Sequence, residues 1–224
     1  MKYTWDAERR RYIDENGKTV AASTVRAWID SLTVALALAF MSRAMRVQNG
    51  TLDPRDWSEE TSSDITSLHY GAAAAALGGV TQLNSDDWTD AEKRIADQES
   101  YFDSFAASVI TGSIALDGNF VIRNGLYASA GFSTYENTIV GREFGAGMNL
   151  YRRVLDPSAE NCEDCIAFSR LGWQTRAQLP EIGRSQCRVR CRCHFAFKIG
   201  TLDEIGRAAL RREEWIASRY MRAA

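Results

Sequence analysis

All five cysteines of the chain fall between positions 162 and 193, as Cys162, Cys165, Cys187, Cys191 and Cys193, and His194 follows directly. Cys162-Glu-Asp-Cys165 is a C-x-x-C pair, and after 21 residues comes C-x-x-x-C-x-C-H. Two cysteine clusters separated by a loop suit a tetrahedral Zn²⁺ ion. The short gap lets two thiolates from one turn reach the same ion, and the long gap lets the chain fold back with the remaining ligands. Six candidates compete for four places. Cys191 and Cys193 alternate by one residue and so face opposite sides of an extended segment. One of that pair is expected to join Cys162, Cys165 and Cys187; the spacing does not say which, and His194 stands in reserve.

Competing chemistries fit less well. An odd number of thiols cannot all pair internally, and the charged opening MKYTWDAERRRYID has no apolar signal core, which disfavours a disulfide framework. A redox C-x-x-C belongs at the start of a helix that follows a buried strand, in an alternation this sequence lacks. The sequence contains neither a glycine-rich phosphate loop after a strand, nor H-E-x-x-H, nor the deaminase pattern H-x-E with P-C-x-x-C. Two histidines leave little material for a triad. A thiolate-rich site is closed, where a zinc hydrolase needs an open coordination position. The reading is therefore a structural metal and no enzyme.

Charge is unevenly placed. Residues 152–224 carry 14 basic and 9 acidic side chains, a net of +5, whereas residues 1–151 carry 13 and 20, a net of −7. Arg184, Arg188, Arg190 and Arg192 stud the second cysteine cluster. They are candidates for binding an acidic partner or phosphate, or for steadying neighbouring thiolates, against the alternative of a solvated basic rim.

The elements that must position this site read as helices. Residues 2–20 suggest a β-hairpin, with Tyr3, Trp5 and Tyr12 apolar and Asn16-Gly17 as its turn. A long helix is expected over 23–49, capped by Ser23 or Thr24 and closed by Gly50, with Val25, Trp28, Ile29, Leu32, Leu36, Ala39, Phe40 and Ala44 facing the core. Asp53-Pro54 opens a second helix with Trp57, Thr61, Ile65, Leu68 and Ala72 on its inner face, and Gly78-Gly79 ends it. His69 beside that face reads as a hydrogen-bonded structural residue. A third helix starts near 86–89 and runs to Gly112; a fourth runs from about 116 to 150. Its interior glycines point to tight backbone packing, a bend near Gly131 and a subunit interface. Gly50-Thr51-Leu52 before Trp57 echoes Gly112-Ser113-Ile114 before Phe120, as if the body were two similar helical hairpins. Phe195, Phe197 and Ile199 alternate like a strand, and 202–221 reads as a last amphipathic helix with Trp215 and Tyr220 available for docking. The most apolar run, Leu32–Met41, falls short of the ~20 residues that span a bilayer.

The C-terminal pattern is similar to a known one. The lead-in Arg152-Arg153-Val154-Leu155-Asp156 is followed by Cys162-x-x-Cys165, Gly172-Trp173, Leu179-Pro180, Gly183 and Cys187-x-x-x-Cys191-Arg192-Cys193. It resembles the C-terminal module of the minor head proteins of tailed bacteriophages, the phage head morphogenesis (Mu F-like) family. The specific part spans residues 152–193; the helical part is similar in character only. The resemblance implies a virion component, made in the host cytoplasm and built into the head at the portal or capsid interior in few copies, without catalytic activity. It carries ligand status to Cys162, Cys165 and either Cys191 or Cys193. Family members often place a histidine-proline just before the C-R-C element, and here Cys187 stands in that region.

The fold expected is mainly α: a helical bundle of two long hairpins (21–155), an N-terminal β-hairpin (1–20), a small zinc-stapled α+β module (156–200) and a C-terminal helix (201–224). The expected partners are phage portal or capsid proteins, further copies of the chain in a symmetric assembly, and packaged DNA, with no membrane. The alternatives are a zinc-stabilised nucleic-acid-binding packaging or regulatory protein, a head–tail adaptor, and a thiol redox enzyme built on Cys162.

Overall fold

The computed structural model describes residues 2–6, 8–187 and 190–223, with the side chains of 219–223 outside the description. The expected Arg188 and Tyr220 contacts therefore lie outside the described side chains. The chain is mainly helical and divides into two compact units, residues 1–138 and 139–224.

The first unit opens with β1 (Tyr3–Asp6), β2 (Arg11–Asp14) and β3 (Thr19–Val20), an antiparallel sheet in the order β1-β2-β3. The segment has one strand more than the expected hairpin. Asn16-Gly17 does form a turn, with Gly17 at φ 75°, but it joins β2 to β3. A sheet this small is held from outside. The last carbonyls of a helix have no partner within it, and here the Tyr3 hydroxyl donates to Ala75 O (2.8 Å) and Tyr12 to Ala76 O (2.9 Å), at the end of α2 (Pro54–Leu77). Tyr12 is buried and its oxygen also lies 3.1 Å from that of Tyr135.

Helix α1 (Ala22–Gln48) starts one residue earlier than expected, and its N-cap is Ala21, with no side-chain cap from Ser23 or Thr24. Val25, Ile29, Phe40 and Ala44 are buried as expected, joined by Thr33 and Val47, but Trp28 is half exposed. Val34, Leu38 and Met45 are exposed as well. Among the described residues α1 is the one helix long and apolar enough to cross a membrane, a property that the Leu32–Met41 run alone did not disclose. In this fold it packs along α4.

The hairpin echo is present at the two corners. At the end of α1, Thr51 N donates to Arg46 O (2.8 Å) around left-handed Gly50. At the end of α3 (Ser85–Ile110), Ser113 N donates to Ser108 O (2.8 Å) around left-handed Gly112. An aspartate then caps the next helix in each case: Asp53 accepts from Arg55 N, and Asp117 from Asn119 N and Phe120 N. Helix α3 also has a capping box between Asn84 and Asp87. The core between the hairpins is aromatic, with Trp57, Phe102, Phe105 and Phe120 buried together. Buried Trp57 donates its indole N–H to Asn124 Oδ1 (3.0 Å).

The fourth helix is two helices. α4 (Gly118–Ala128) stops at Ser129, and α5 (Ala130–Gly145) resumes at once. Gly131 lies at this break because a Cβ there would come within 2.5 Å of Leu68 Cδ1. Gly125 is similarly close to Met41, whereas Gly118, Gly141 and Gly145 face open space, so tight packing accounts for two of these glycines only. His69 is buried as expected, with Nε2 2.7 Å from Gln98 Oε1 and Nδ1 2.6 Å from the Thr134 hydroxyl.

In the second unit the chain leaves α5 and forms β4 (Leu150–Val154), a strand where the sequence suggested the end of a helix and a lead-in. β4 pairs antiparallel with β5 (His194–Lys198), from Leu150↔Lys198 to Val154↔His194. Between them lie α6 (Glu163–Arg170) and a looped segment with a short 3-10 turn at Arg176–Gln178. α7 (Leu202–Ala223) follows; its Ala208 is buried, and Trp215 packs against Phe168 at 5.7 Å between ring centroids.

Candidate metal centre

The C-x-x-C pair sits where a helix begins. Cys162 is the N-cap residue of α6 and Cys165 lies in its first turn, so both sulfurs come off one turn of backbone. The β4–β5 ladder brings the second cluster back, because β5 begins directly after Cys193. Gln174 fixes the loop between them: its backbone N–H and C=O exchange hydrogen bonds of 2.8 Å with those of Tyr151 on β4.

The five sulfurs form two groups, Cys162–Cys165–Cys187 and Cys165–Cys191–Cys193. Within each group all three sulfurs lie within 4.8 Å of one another, and Cys165 belongs to both. Cys165 Sγ is 3.5 Å from Cys187 Sγ and 3.7 Å from Cys191 Sγ. These separations exceed the ~2.05 Å of a disulfide, and all five thiols are free. They match the edge of a thiolate tetrahedron, about 3.8 Å when metal–sulfur bonds are near 2.3 Å. The cluster can hold a metal ion. His194, the reserve ligand, starts β5 opposite Val154 and belongs to neither group.

The surroundings favour sulfur anions at two positions. Burial raises the Cys162 thiol, but hydrogen bonds from the Cys165 backbone, the Cys187 side chain and others outweigh it, and the net direction is down. Cys191 is driven down by its contacts with the Cys165 and Cys193 thiols, and then by the backbone N–H groups of Cys193 and Gly183. Those same contacts with Cys165 and Cys191 push Cys193 up, and burial adds to it. Cys187 is raised by burial first and by Cys162 second, and Cys165 by Cys191 first. Thiols crowded this closely share protons unless a cation takes their place. Cys165, Cys191 and Cys193 are almost wholly shielded from solvent, inside a shell of Phe168, Leu171, Leu179, Ile182 and Phe195.

Arg153 was visible in the sequence only as part of the lead-in. The structure buries it to 1% exposure, with Nη1 3.8 Å from both Cys165 Sγ and Cys191 Sγ. Nη2 donates to Pro180 O and lies 3.4 Å from Glu181 O, and the rings of Phe168 and Phe195 flank the guanidinium. Strand alternation would have placed Arg153 on the same face as Tyr151. Nothing local says that this face is the buried one.

The other arginines behave differently. Arg184 and Arg190 are exposed beside the cluster, and Arg192 is half-buried. Arg188 lies outside the described residues.

No protein-family model, curated protein or solved structure matches the chain.

Proposed function

We propose that the chain is a non-enzymatic structural component of a tailed-phage virion, a minor head protein of the portal or capsid interior that takes part in head assembly, with Zn²⁺ as its structural metal. One observation carries the reading. The cysteines that bear the head-morphogenesis pattern converge, across the loop between α6 and β5, on one buried cluster in a small α+β unit. Zinc is the metal that thiolate tetrahedra of this size commonly hold. When bound, the ion would cross-link the start of α6 to the loop before β5 and hold a segment that its few apolar anchors would hold poorly alone.

The shielding of Cys165, Cys191 and Cys193 suits cross-linking better than turnover, while Cys162 and Cys187 are half-buried. Surfaces remain for docking: Leu202 and Leu210 on α7, Trp28, Val34, Leu38 and Met45 on α1, and Arg184 and Arg190 at the cluster rim are all exposed. In the proposed role these meet portal or capsid proteins, or further copies of the chain.

The test is particle composition. Gradient-purified virions should contain the chain at a fixed, low copy number, in the head fraction and not at the head–tail joint. A chain found free in lysate and missing from particles overturns the reading. Elemental analysis of the purified chain should find about one zinc per molecule.

A second reading, a zinc-stabilised nucleic-acid-binding packaging protein, draws on exposed Arg184 and Arg190 and the net charge of +5 over residues 152–224. It predicts DNA affinity that falls steeply with salt and weakens when these arginines are replaced.

A further inference from the structure

A guanidinium inside a protein needs an anion, because moving an unpaired charge out of water costs several kcal/mol. Among the described residues no carboxylate pairs with Arg153. The groups within its reach are two backbone carbonyls, two aromatic rings and the sulfurs of Cys165 and Cys191. Of these only the sulfurs can carry negative charge. One nitrogen faces both sulfurs at the same distance, 3.8 Å, and those sulfurs come from different ends of the cysteine module. The other nitrogen holds the Pro180–Glu181 backbone, which lies in the loop between them.

We infer that Arg153 is the fixed counter-cation of the cysteine cluster: it offsets the charge of the sulfurs of Cys165 and Cys191 and positions the Pro180–Glu181 loop over them. This rests on the metal reading above. A divalent ion with four thiolates carries a net charge of −2, and among the described residues the shell around it supplies apolar side chains, the neutral polar groups of Asn161 and Ser185, backbone dipoles and one buried cation, Arg153. The fork geometry matters as well as the charge. Arginine can face two sulfurs with one arm and two carbonyls with the other, whereas lysine offers a single point of charge.

Chelator competition with Co²⁺ on the full chain tests the inference, since Co²⁺ reports thiolate ligation through its sulfur-to-metal charge-transfer band. Wild type should bind one Co²⁺ with that band present. Arg153→Met should bind about 10- to 100-fold more weakly, the range for lost outer-shell partners, and its band should move to lower energy because no cation stabilises the sulfur electrons. Arg153→Lys should restore the band position while recovering only part of the affinity. A merely structural role would leave the band in place in every variant that binds. Arg153→Met binding as tightly as wild type, with an unmoved band, overturns the inference and leaves the metal reading intact. Wild type that takes up no Co²⁺ defeats both. If Arg153→Met does not fold, Arg153→Gln takes its place: a band moved to lower energy supports the counter-cation, and an unmoved one overturns it.

Discussion

The Cys165 sulfur lies 3.5 Å from that of Cys187, across 22 positions of chain, and 3.7 Å from that of Cys191, across 26. Cys165 is thus the hub of the cluster, the one sulfur common to both groups. Cys165→Ser should abolish metal binding, whereas Cys162→Ser or Cys193→Ser, each touching one group, should retain a weakened site. Cys191→Ser should cost more than Cys193→Ser, because Cys191 is the one whose thiolate is favoured by backbone N–H groups. Metal content of the purified variants checks the order; equal losses for all five would contradict it.

Removing the metal should act locally. The cluster belongs to residues 139–224, while the aromatic core around Trp57 belongs to residues 1–138. A strong chelator is expected to loosen the surroundings of Trp173 and Trp215, making the 139–224 segment sensitive to protease, while most of the helical circular dichroism survives. Loss of the whole helical signal on chelation would refute this.

His69 makes stability depend on acidity. Burial pushes its pKa down to about 4, against which the Gln98 hydrogen bond acts only in part. Gln98 Nε2 donates to Tyr127 O, so its oxygen faces His69 Nε2, which carries the proton, and Nδ1 accepts from Thr134. An unfolded histidine takes up its second proton near pH 6.5. The folded chain resists protonation until about pH 4. The contribution of neutral His69 is therefore intact above pH 6.5 and is lost as pH falls from there to 4. The loss is about 3 kcal/mol in all. Urea midpoints of wild type and His69→Gln across that window should converge as pH falls; parallel curves would show that His69 is not responsible.

Two glycines of α5 should respond in opposite directions. A methyl at Gly131 would meet the buried Leu68 side chain at 2.5 Å, so Gly131→Ala should destabilise by about 1–3 kcal/mol. Gly141 has open space at its Cβ position, and Gly141→Ala should stabilise by up to about 1 kcal/mol through helix propensity. Thermal midpoints of the two variants decide it.

Trp57→Phe should leave Asn124 Oδ1 buried without its indole partner and open a small void beside Phe102 and Phe120. A loss of about 2–4 kcal/mol is expected from the two effects together, read by circular dichroism in denaturant.

What could be read from the sequence was local. Asp53-Pro54, Gly50 and Gly78 each set their own stretch of backbone and stand where expected, and Asn16-Gly17 makes its turn, though between β2 and β3. The cysteine spacing likewise encodes its own convergence. The misreadings needed distant partners. β4 is a strand because Leu150–Val154 pairs with residues 40 to 48 positions later; taken alone, the segment continues a helical pattern. The stop at Ser129 reflects how closely the next turn meets Leu68 and Thr33 on other helices. Trp28 looked like core because it shares helical spacing with Val25 and Ile29, yet the partner helix does not cover it. Arg153 was illegible for the same reason: an arginine is read as surface until the fold closes over it.

The pairing of β4 with β5 also sets an order of events at the ribosome. Residue 198 must emerge before the full ladder can zip up and draw the two cysteine clusters together. By then every residue of the 1–138 unit has already been synthesised and is free to fold. In the proposed role metal capture is thus a late step in the making of this chain, and nascent chains halted before residue 194 would carry a finished helical body and an open clasp.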